Sequence, residues 1–553
     1  MKRKLVFVFL AIVLSTALFA GGGGQGQTPQ RSGAEIVTAP GTFPVVSTPI
    51  TLRVFAGGSP NIENFETNDF TRFYEEKTGV RLQWTISPPG SGPELRRLSI
   101  ASGDLPDFYM GAGFTKMDEV QYGRDGVFIP LNDLIDQYGF WIKEMFNNAP
   151  QVRPMITTPD GNIYSLPLYH DSLHNQYTTK LYINTGWMRN LNLQTPNTLD
   201  EYTNVLRAFR TRDPNGNGLM DEIPHITSQP GGIGINALIP FFVNSFIEMD
   251  PGGFLVTGND RVEIAYDKPE FRQALTYLNS LVNEGLLDPT SFTVSEAELR
   301  QIAENPQALT IGSTVMLAPS SIFSMTSPRQ REFDAIAPLA GPGGVRAAVY
   351  HSNVNVQTGQ TIITSRCQYP EAVVRWNDWF FTQEGLMTMR IGREGIEWNW
   401  ARPGELGISG IQGIWHNIGA QGGSTNAFWM QYGVAQYNQH SAQVGVSENL
   451  FYGPEGLNTR IYRYTAESYV PFRPAKYLPA MYFEADVLEP IVQSINDIDN
   501  YKSMMWARFV TGDLPLTDQN WNNYINALNS MGIRNVLNAY QRTYDTFLRN
   551  ASR

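Results

Sequence analysis

One cysteine, Cys367, stands in a chain of 553 residues. A disulfide framework is therefore excluded, and a lone thiol is expected to serve as a small buried apolar residue. Charge is also scarce. Asp, Glu, Lys and Arg make up 17% of the sequence, against about 25% in ordinary soluble domains. What charge there is leans acidic, at −11 overall and −14 without the first twenty residues, which hold three basic residues and no acid. That balance, with no long basic run, argues against nucleic acid or an anionic membrane surface as partner. No stretch approaches the ~18 uninterrupted apolar residues of a membrane span. Histidines number six and are scattered, and GxSxG, HExxH, GxxxxGKS/T and CxxC are all missing. Aromatic residues, by contrast, reach 12%. Few charges and many rings suit a large core, and they suit a ligand with extended neutral faces.

The first residues read as an export signal. Lys2, Arg3 and Lys4 precede the apolar run from Leu5 to Leu14, and Ala20 is followed by Gly21. The run is too short to cross a bilayer, so a secretory signal peptide cut near Ala20 is expected. With no cysteine at the cut, a lipid anchor is not expected, and a periplasmic location follows for a protein that serves its own cell. Residues 21–47 are rich in Gly, Gln, Thr and Pro and read as a flexible tether.

Strand and helix periods alternate from there. Ile50, Leu52 and Val54 alternate, Phe70, Phe73 and Tyr74 make a helical stripe ended by Gly79, and Val80, Leu82, Trp84 and Ile86 alternate again. This is the start of a βαβ unit and implies a parallel sheet. Thr198 and Glu201 form a capping box for a helix whose apolar face is Leu199, Tyr202, Val205, Leu206 and Phe209. Trp187, Trp376, Trp506 and Trp521 lie on or beside periodic stripes and are expected in the core.

The residues 213–224 carry the most specific pattern. Asp213, Asn215, Asn217 and Asp221 occupy positions 1, 3, 5 and 9, and Gly218 takes position 6. Alternate oxygen-bearing side chains around a glycine bend are what a calcium loop requires. Position 12 is Pro224, so the usual bidentate glutamate is missing. Glu222 is the expected substitute, with the Leu219 carbonyl as the backbone ligand. A polar turn built from the same turn formers is the alternative.

Taken in order, several short segments resemble the family 1 extracellular solute-binding proteins of ABC importers, in particular the large branch that bears a calcium loop and includes oligosaccharide and alginate binders. The matching stretches are Phe73-Tyr-Glu-Glu-Lys-Thr-Gly79, Ala101-Ser-Gly-Asp-Leu-Pro-Asp107, Asp160-Gly-Asn-Ile-Tyr164, Tyr182-Ile-Asn-Thr-Gly-Trp187, Thr198-Leu-Asp-Glu-Tyr202, the loop from Asp213 to Pro224, Asn283-Glu-Gly-Leu-Leu-Asp-Pro289 and Ala507-Arg-Phe-Val-Thr-Gly512. The resemblance implies an α/β, two-lobed periplasmic-binding-protein fold (type II), each lobe a mixed sheet flanked by helices, with the ligand cleft at a hinge. It implies an N-terminal lobe at 48–175 completed by about 345–385, and a C-terminal lobe at 176–344 completed by about 386–553. It also implies a monomer that binds an oligosaccharide, closes around it and hands it to the transmembrane subunits of a permease, with a structural Ca2+ on Asp213, Asn215, Asn217, Leu219, Asp221 and Glu222.

A sugar presents an apolar face and a rim of hydroxyls, so rings and planar polar side chains in loops are the candidates. Trp398, Trp400, Trp415, Trp429 and Tyr432 stand in the loop-rich stretch after Arg393, and Trp400 and Trp429 are the expected stacking anchors. Ligands of open α/β sheets sit beyond the carboxyl ends of strands, which adds Ser59, Asn61 and Tyr109. Tyr169 and His170 precede the expected lobe crossing. Two rival readings stand beside this one. A secreted carbohydrate-active enzyme needs only two well-placed carboxylates, and the same fold serves peptides or other solutes.

Overall fold

In the computed structural model, β1 (Ile50–Gly57) starts half-exposed, is buried from Val54 to Ala56 and ends on half-buried Gly57. The structure describes residues 33–551 apart from 60–61, 89–90, 171, 229–236, 325–326, 353–354, 419–424, 430–431, 438–442 and 445–455. The expected leader, most of the expected tether and the candidate Asn61 lie outside the described residues. The remaining strands are β2 (Val80–Ser87), β3 (Phe108–Met110), β4 (Leu166–His170), β5 (Lys180–Asn184), β6 (Phe254–Val256), β7 (Val262–Ile264), β8 (Ser313–Met316), β9 (Phe333–Ile336), β10 (Val356–Ile363), β11 (Trp398–Trp400), β12 (Trp415–Asn417), β13 (Ala435–Tyr437) and β14 (Gln443–Val444).

The βαβ start is as expected. β1 pairs in parallel with β2 and β3, and the helix Asp69–Thr78 crosses between the first two. The Asn68 side chain accepts the Phe70 amide at its start, and Gly79, at φ 74°, ends it in a conformation that costs glycine nothing. Six strands complete the first sheet in the order β13-β4-β10-β3-β1-β2, with β10 antiparallel to both neighbours. A second sheet has the order β8-β5-β9, all antiparallel. The helix Leu199–Thr211 packs on it, and all five residues of its expected face are buried.

Two separate cores divide the chain into lobes. One gathers buried residues from Ile36 to Leu168 and again from Val356 to Val434. The other runs from Tyr177 to Tyr350 and again from Tyr469 to Ala539. Two expected boundaries are corrected. The described residues between 386 and 434 go with the first lobe, not the second, because Leu386, Met389, Trp429 and Val434 bury against the first core and β13 joins β4. The end of the expected tether is also structured. Val45 and Val46 are buried, and the guanidinium of buried Arg375 donates to the carbonyls of Ala39 (2.9 Å) and Thr42 (2.7 Å). The four tryptophans expected in the cores, Trp187, Trp376, Trp506 and Trp521, are all buried. Cys367 is half-buried rather than buried.

Candidate ligand site

The lobes meet at one edge of the first sheet. β1, β3, β4 and β13 all end there and β10 begins there, since Val356 pairs with Tyr169 and Tyr437 with His170. From His170 the chain crosses to β5, whose Lys180 pairs with Met316 and whose Leu181 pairs with Ile336. The two sheets therefore turn these strand ends toward each other across the crossings, the position the strand-end rule expects for a ligand.

The floor on the first-lobe side is held rigidly. The Tyr432 hydroxyl donates toward two carbonyls, Gly57 at 2.6 Å and Met110 at 2.8 Å, and so ties β1 to β3. The approach is close. A Cβ on Gly57 would stand 2.4 Å from the Gly111 oxygen, and one on Gly111 would stand 2.8 Å from the Tyr432 ring. Buried Arg96 donates to the Ala112 carbonyl at 2.7 Å, pairs with Asp118 at 3.0 Å and lies 4.5 Å from the Phe114 ring centroid. Ser59 sits partly exposed just beyond the end of β1. Pinned loops of this kind lower the ordering cost of binding.

Burial revises most of the aromatic candidates. Trp398 and Trp415 lie on paired strands, not loops, and each is 1% exposed, packed with Met387 in a small core of their own. Trp429 is equally buried among Phe70, Trp84 and Trp376, and its indole N–H donates to Thr71 Oγ1 at 2.9 Å. Tyr109 is buried in the opposite face of the sheet, its hydroxyl 2.9 Å from Ser99 Oγ. None of these four rings offers a face to a ligand in this conformation. Tyr432 is corrected too, because burial raises its pKa and its hydroxyl is committed to backbone. Trp400 is 41% exposed and meets Trp398 at 4.8 Å with the two rings nearly perpendicular, so part of its ring is open to solvent. Its strand belongs to an extension anchored beside the β1 loop, where Glu63 and Asp69 donate their amides to Thr425 and Asn426 and Arg393 reaches Asp69. His170 is buried, with its backbone amide on the Asn355 carbonyl at 3.0 Å. Tyr169 turns to a cavity of about 860 Å³ beside the crossings. The residues in that cavity wall from Arg473 to Tyr477 carry no signal in the sequence that marks them as cavity lining.

Lys180 was likewise missed. It is wholly buried at the start of β5, donates to the carbonyls of His174 (3.2 Å) and Tyr177, and has no carboxylate partner among the described residues. Its Nζ stands 5.7 Å from the Tyr469 ring centroid. Burial brings its pKa down from 10.5 to about 7. His351 lies on the returning segment, 2.6 Å from Thr178 Oγ1, and is lowered to about 4 by burial and then by repulsion from Lys180. Because the lysine value is depressed only in the fold, the unfolded chain binds more protons between pH 7 and 10.5, and stability rises with pH across that window. Lys180→Met should abolish this rise. Melting temperatures of both proteins from pH 6.5 to 10 test it, and equal slopes would show that Lys180 does not titrate as described.

The 213–224 loop wraps around its own oxygens. Asp213 accepts the amides of Gly216 (3.0 Å), Asn217 (3.2 Å) and Gly218 (3.0 Å), and Gly218, at φ 79°, makes the bend that glycine permits. The amide groups of Asn215 and Asn217 both donate to Asp221 at 3.1 Å. Among the described residues no three acidic or histidine side chains converge as a metal cluster. Glu222 is the exception to the satisfied pattern. It is buried, its carboxylate makes no well-formed hydrogen bond, and burial raises its pKa, with the nearby backbone amides of Glu222 and Asn215 offsetting part of the rise and repulsion from Asp213 and Asp221 adding to it. In donor type alone, a buried carboxylate in the same loop as Asp and Asn oxygens suits a hard cation.

Comparison with known proteins places this geometry. The chain matches the family model described as bacterial extracellular solute-binding protein over residues 59–387. It is 26% identical over 494 residues, 86% of either chain, to the fructooligosaccharide ABC transporter substrate-binding protein FusA of Streptococcus pneumoniae serotype 4 (strain ATCC BAA-334 / TIGR4). Among solved structures, FusA in complex with kestose is 22% identical and superposes with a TM-score of 0.69, over 91% of this chain and 100% of that one. An HMO-binding, ABC-transporter-associated solute-binding protein from Bifidobacterium longum infantis ATCC 15697 is 19% identical, with a TM-score of 0.71 over 91% and 99%. At these identities the solved structures speak for the fold alone.

Proposed function

Because the chain belongs to the bacterial extracellular solute-binding proteins, we propose that it captures an oligosaccharide between its two lobes and presents it to the transmembrane subunits of an ABC importer. The observation that carries the ligand class is the likeness to a fructooligosaccharide-binding relative along 86% of both chains. The strand-end floor and the exposed part of Trp400 supply what a sugar needs, a fixed polar frame and a ring. In this reading the protein binds and releases without turnover and works as a monomer in the periplasm, its leader removed near Ala20 and no lipid attached. No helix among the described residues is long and apolar enough to cross a membrane. A calcium ion on Asp213, Asn215, Asn217, the Leu219 carbonyl, Asp221 and Glu222 would stabilise the second lobe, leaving the sugar contacts to other residues.

Calorimetric titration with a panel of neutral oligosaccharides, kestose among them, tests the reading, with scattering to follow closure and chromatography to look for cleavage. Tight binding with closure and intact sugar is expected. Trp400→Ala should weaken it by about 2 kcal/mol, roughly thirtyfold, as loss of a stacking anchor does. Hydrolysed sugar would establish an enzyme instead. Binding confined to peptides would keep the fold and reject the ligand class, and unchanged affinity in the Trp400 variant would reject that ring alone.

A further inference from the structure

After Phe472 the chain leaves the second-lobe core, rests on the first lobe and is back in the second by Val487. The middle of this excursion, residues 478–483, belongs to neither helix nor strand, and its side chains divide between the lobes. Leu478 is buried with Val256, Val262 and Tyr544 of the second lobe, and Met481 packs on the same cluster. Phe483 meets Tyr540 of that lobe edge-on, with ring centroids 4.9 Å apart. Beyond them Arg542 holds Glu484 at 3.0 Å. On the other side, Ala480 packs against the first-lobe core. The Tyr482 hydroxyl donates to Glu119 Oε2 at 3.1 Å, and the Lys116 ammonium lies 4.3 Å from the centroid of the same ring. Lys116 and Glu119 stand one turn apart on the first-lobe helix Lys116–Arg124. Tyr482 and Glu119 are both buried. The segment is a shim with a lobe on either side.

We propose that this shim sets the angle between the lobes in the ligand-free protein, with the Tyr482–Glu119 hydrogen bond as its latch. A rotation of one lobe against the other must shear one side of the shim. The contacts of Leu478, Met481 and Phe483 with the second lobe are apolar, and apolar contact is non-directional, so it survives a small slide. The bond from Tyr482 to Glu119 is directional and is made out of water, so the same slide breaks it. The latch therefore resists rotation, and it favours the lobe arrangement in which it is made. A contact present in one arrangement and absent in another shifts the populations by its own free energy. Ligand affinity then follows the fraction of protein in the binding-competent form. The balance in the free protein stands whatever the ligand is, and only the link to affinity rests on the transport reading.

The test compares the full mature wild type with Tyr482→Phe and Tyr74→Phe, by small-angle scattering without ligand and by calorimetric titration with the neutral oligosaccharide that the wild type binds best. Tyr482→Phe keeps the ring beneath Lys116 and leaves Glu119 its bond from Ser165 Oγ at 2.8 Å, so it should fold. Tyr74→Phe is the control for a buried hydroxyl lost within one lobe, since Tyr74 donates to the Trp376 carbonyl inside the first core. Both variants should melt earlier than the wild type. Tyr482→Phe alone should change the radius of gyration of the free protein and move the dissociation constant at least fivefold. The two changes should be linked in sign, a more compact free form binding tighter and a more extended one weaker. The latch is overturned if Tyr482→Phe matches the wild type in radius and affinity, if it moves them no more than Tyr74→Phe does, or if only one of them moves or the signs disagree. If no sugar binds the wild type, the transport reading falls and the radius alone decides the latch.

Discussion

Replacing Trp429 with alanine should destabilise the first lobe by about 3–5 kcal/mol, the range for deleting a buried aromatic ring, and leave the sugar affinity of the folded protein nearly unchanged. The indole is 1% exposed and sits 4.9 Å from Phe70, 5.6 Å from Trp84 and 6.0 Å from Trp376, centroid to centroid. Its removal leaves a cavity among Phe70, Trp84 and Trp376, and it leaves Thr71 Oγ1 without its donor. Denaturant unfolding and calorimetric titration of the same variant separate the two effects. A thirtyfold loss of affinity with stability intact would return Trp429 to the ligand site.

The reason this ring was misplaced shows how far the sequence could be read. Local periods were legible. β1, the helix Asp69–Thr78 and β2 follow from alternation and a 3.6-residue stripe, and the helix Leu199–Thr211 buries the face its spacing marks. Trp376 and Trp521 were placed correctly because each sits on such a stripe. Trp398, Trp415 and Trp429 sit on none. In an irregular stretch a ring that plugs a core and a ring that meets a ligand have the same neighbours in sequence, and only distant partners tell them apart. For Trp429 those partners are Phe65, Phe70 and Trp84, and for β13 the partner is β4. The lobe boundary failed for the same reason, since apolar residues near 386–434 announce a core without saying which. Lys180 carries no signal at all, because a buried lysine and a surface lysine look alike until the chain has folded.

Stripping calcium from the protein should lower the melting temperature of the second lobe by on the order of 10 °C. An ion that binds only the native state, at a thousandfold excess over its dissociation constant, contributes about 4 kcal/mol, and a lobe of this size shifts by about 2–4 °C per kcal/mol. Asp213→Ala should mimic chelation but is an impure test, because Asp213 also accepts three loop amides whose loss destabilises the ion-free protein. Glu222→Gln is the sharper variant. In the ion-free fold the Glu222 carboxylate is buried, backbone amides offset only part of that cost, and its pKa is raised, by burial first. A raised value means that the stability this group contributes is present below its unfolded pKa and lost as pH rises through the folded one. At neutral pH the ionised carboxylate is therefore a burden on the ion-free protein and an asset to the calcium-bound one. Glu222→Gln should accordingly raise the melting temperature in chelator and lower it in saturating calcium, and wild-type calcium affinity should fall as acid protonates the same oxygen. Melting curves of both proteins in chelator and in calcium, at pH 5 and pH 7.5, read all of this. The same sign of change in both media would remove Glu222 from the ion's ligands, and a wild-type melting temperature indifferent to calcium would make the loop the polar turn its composition also allows.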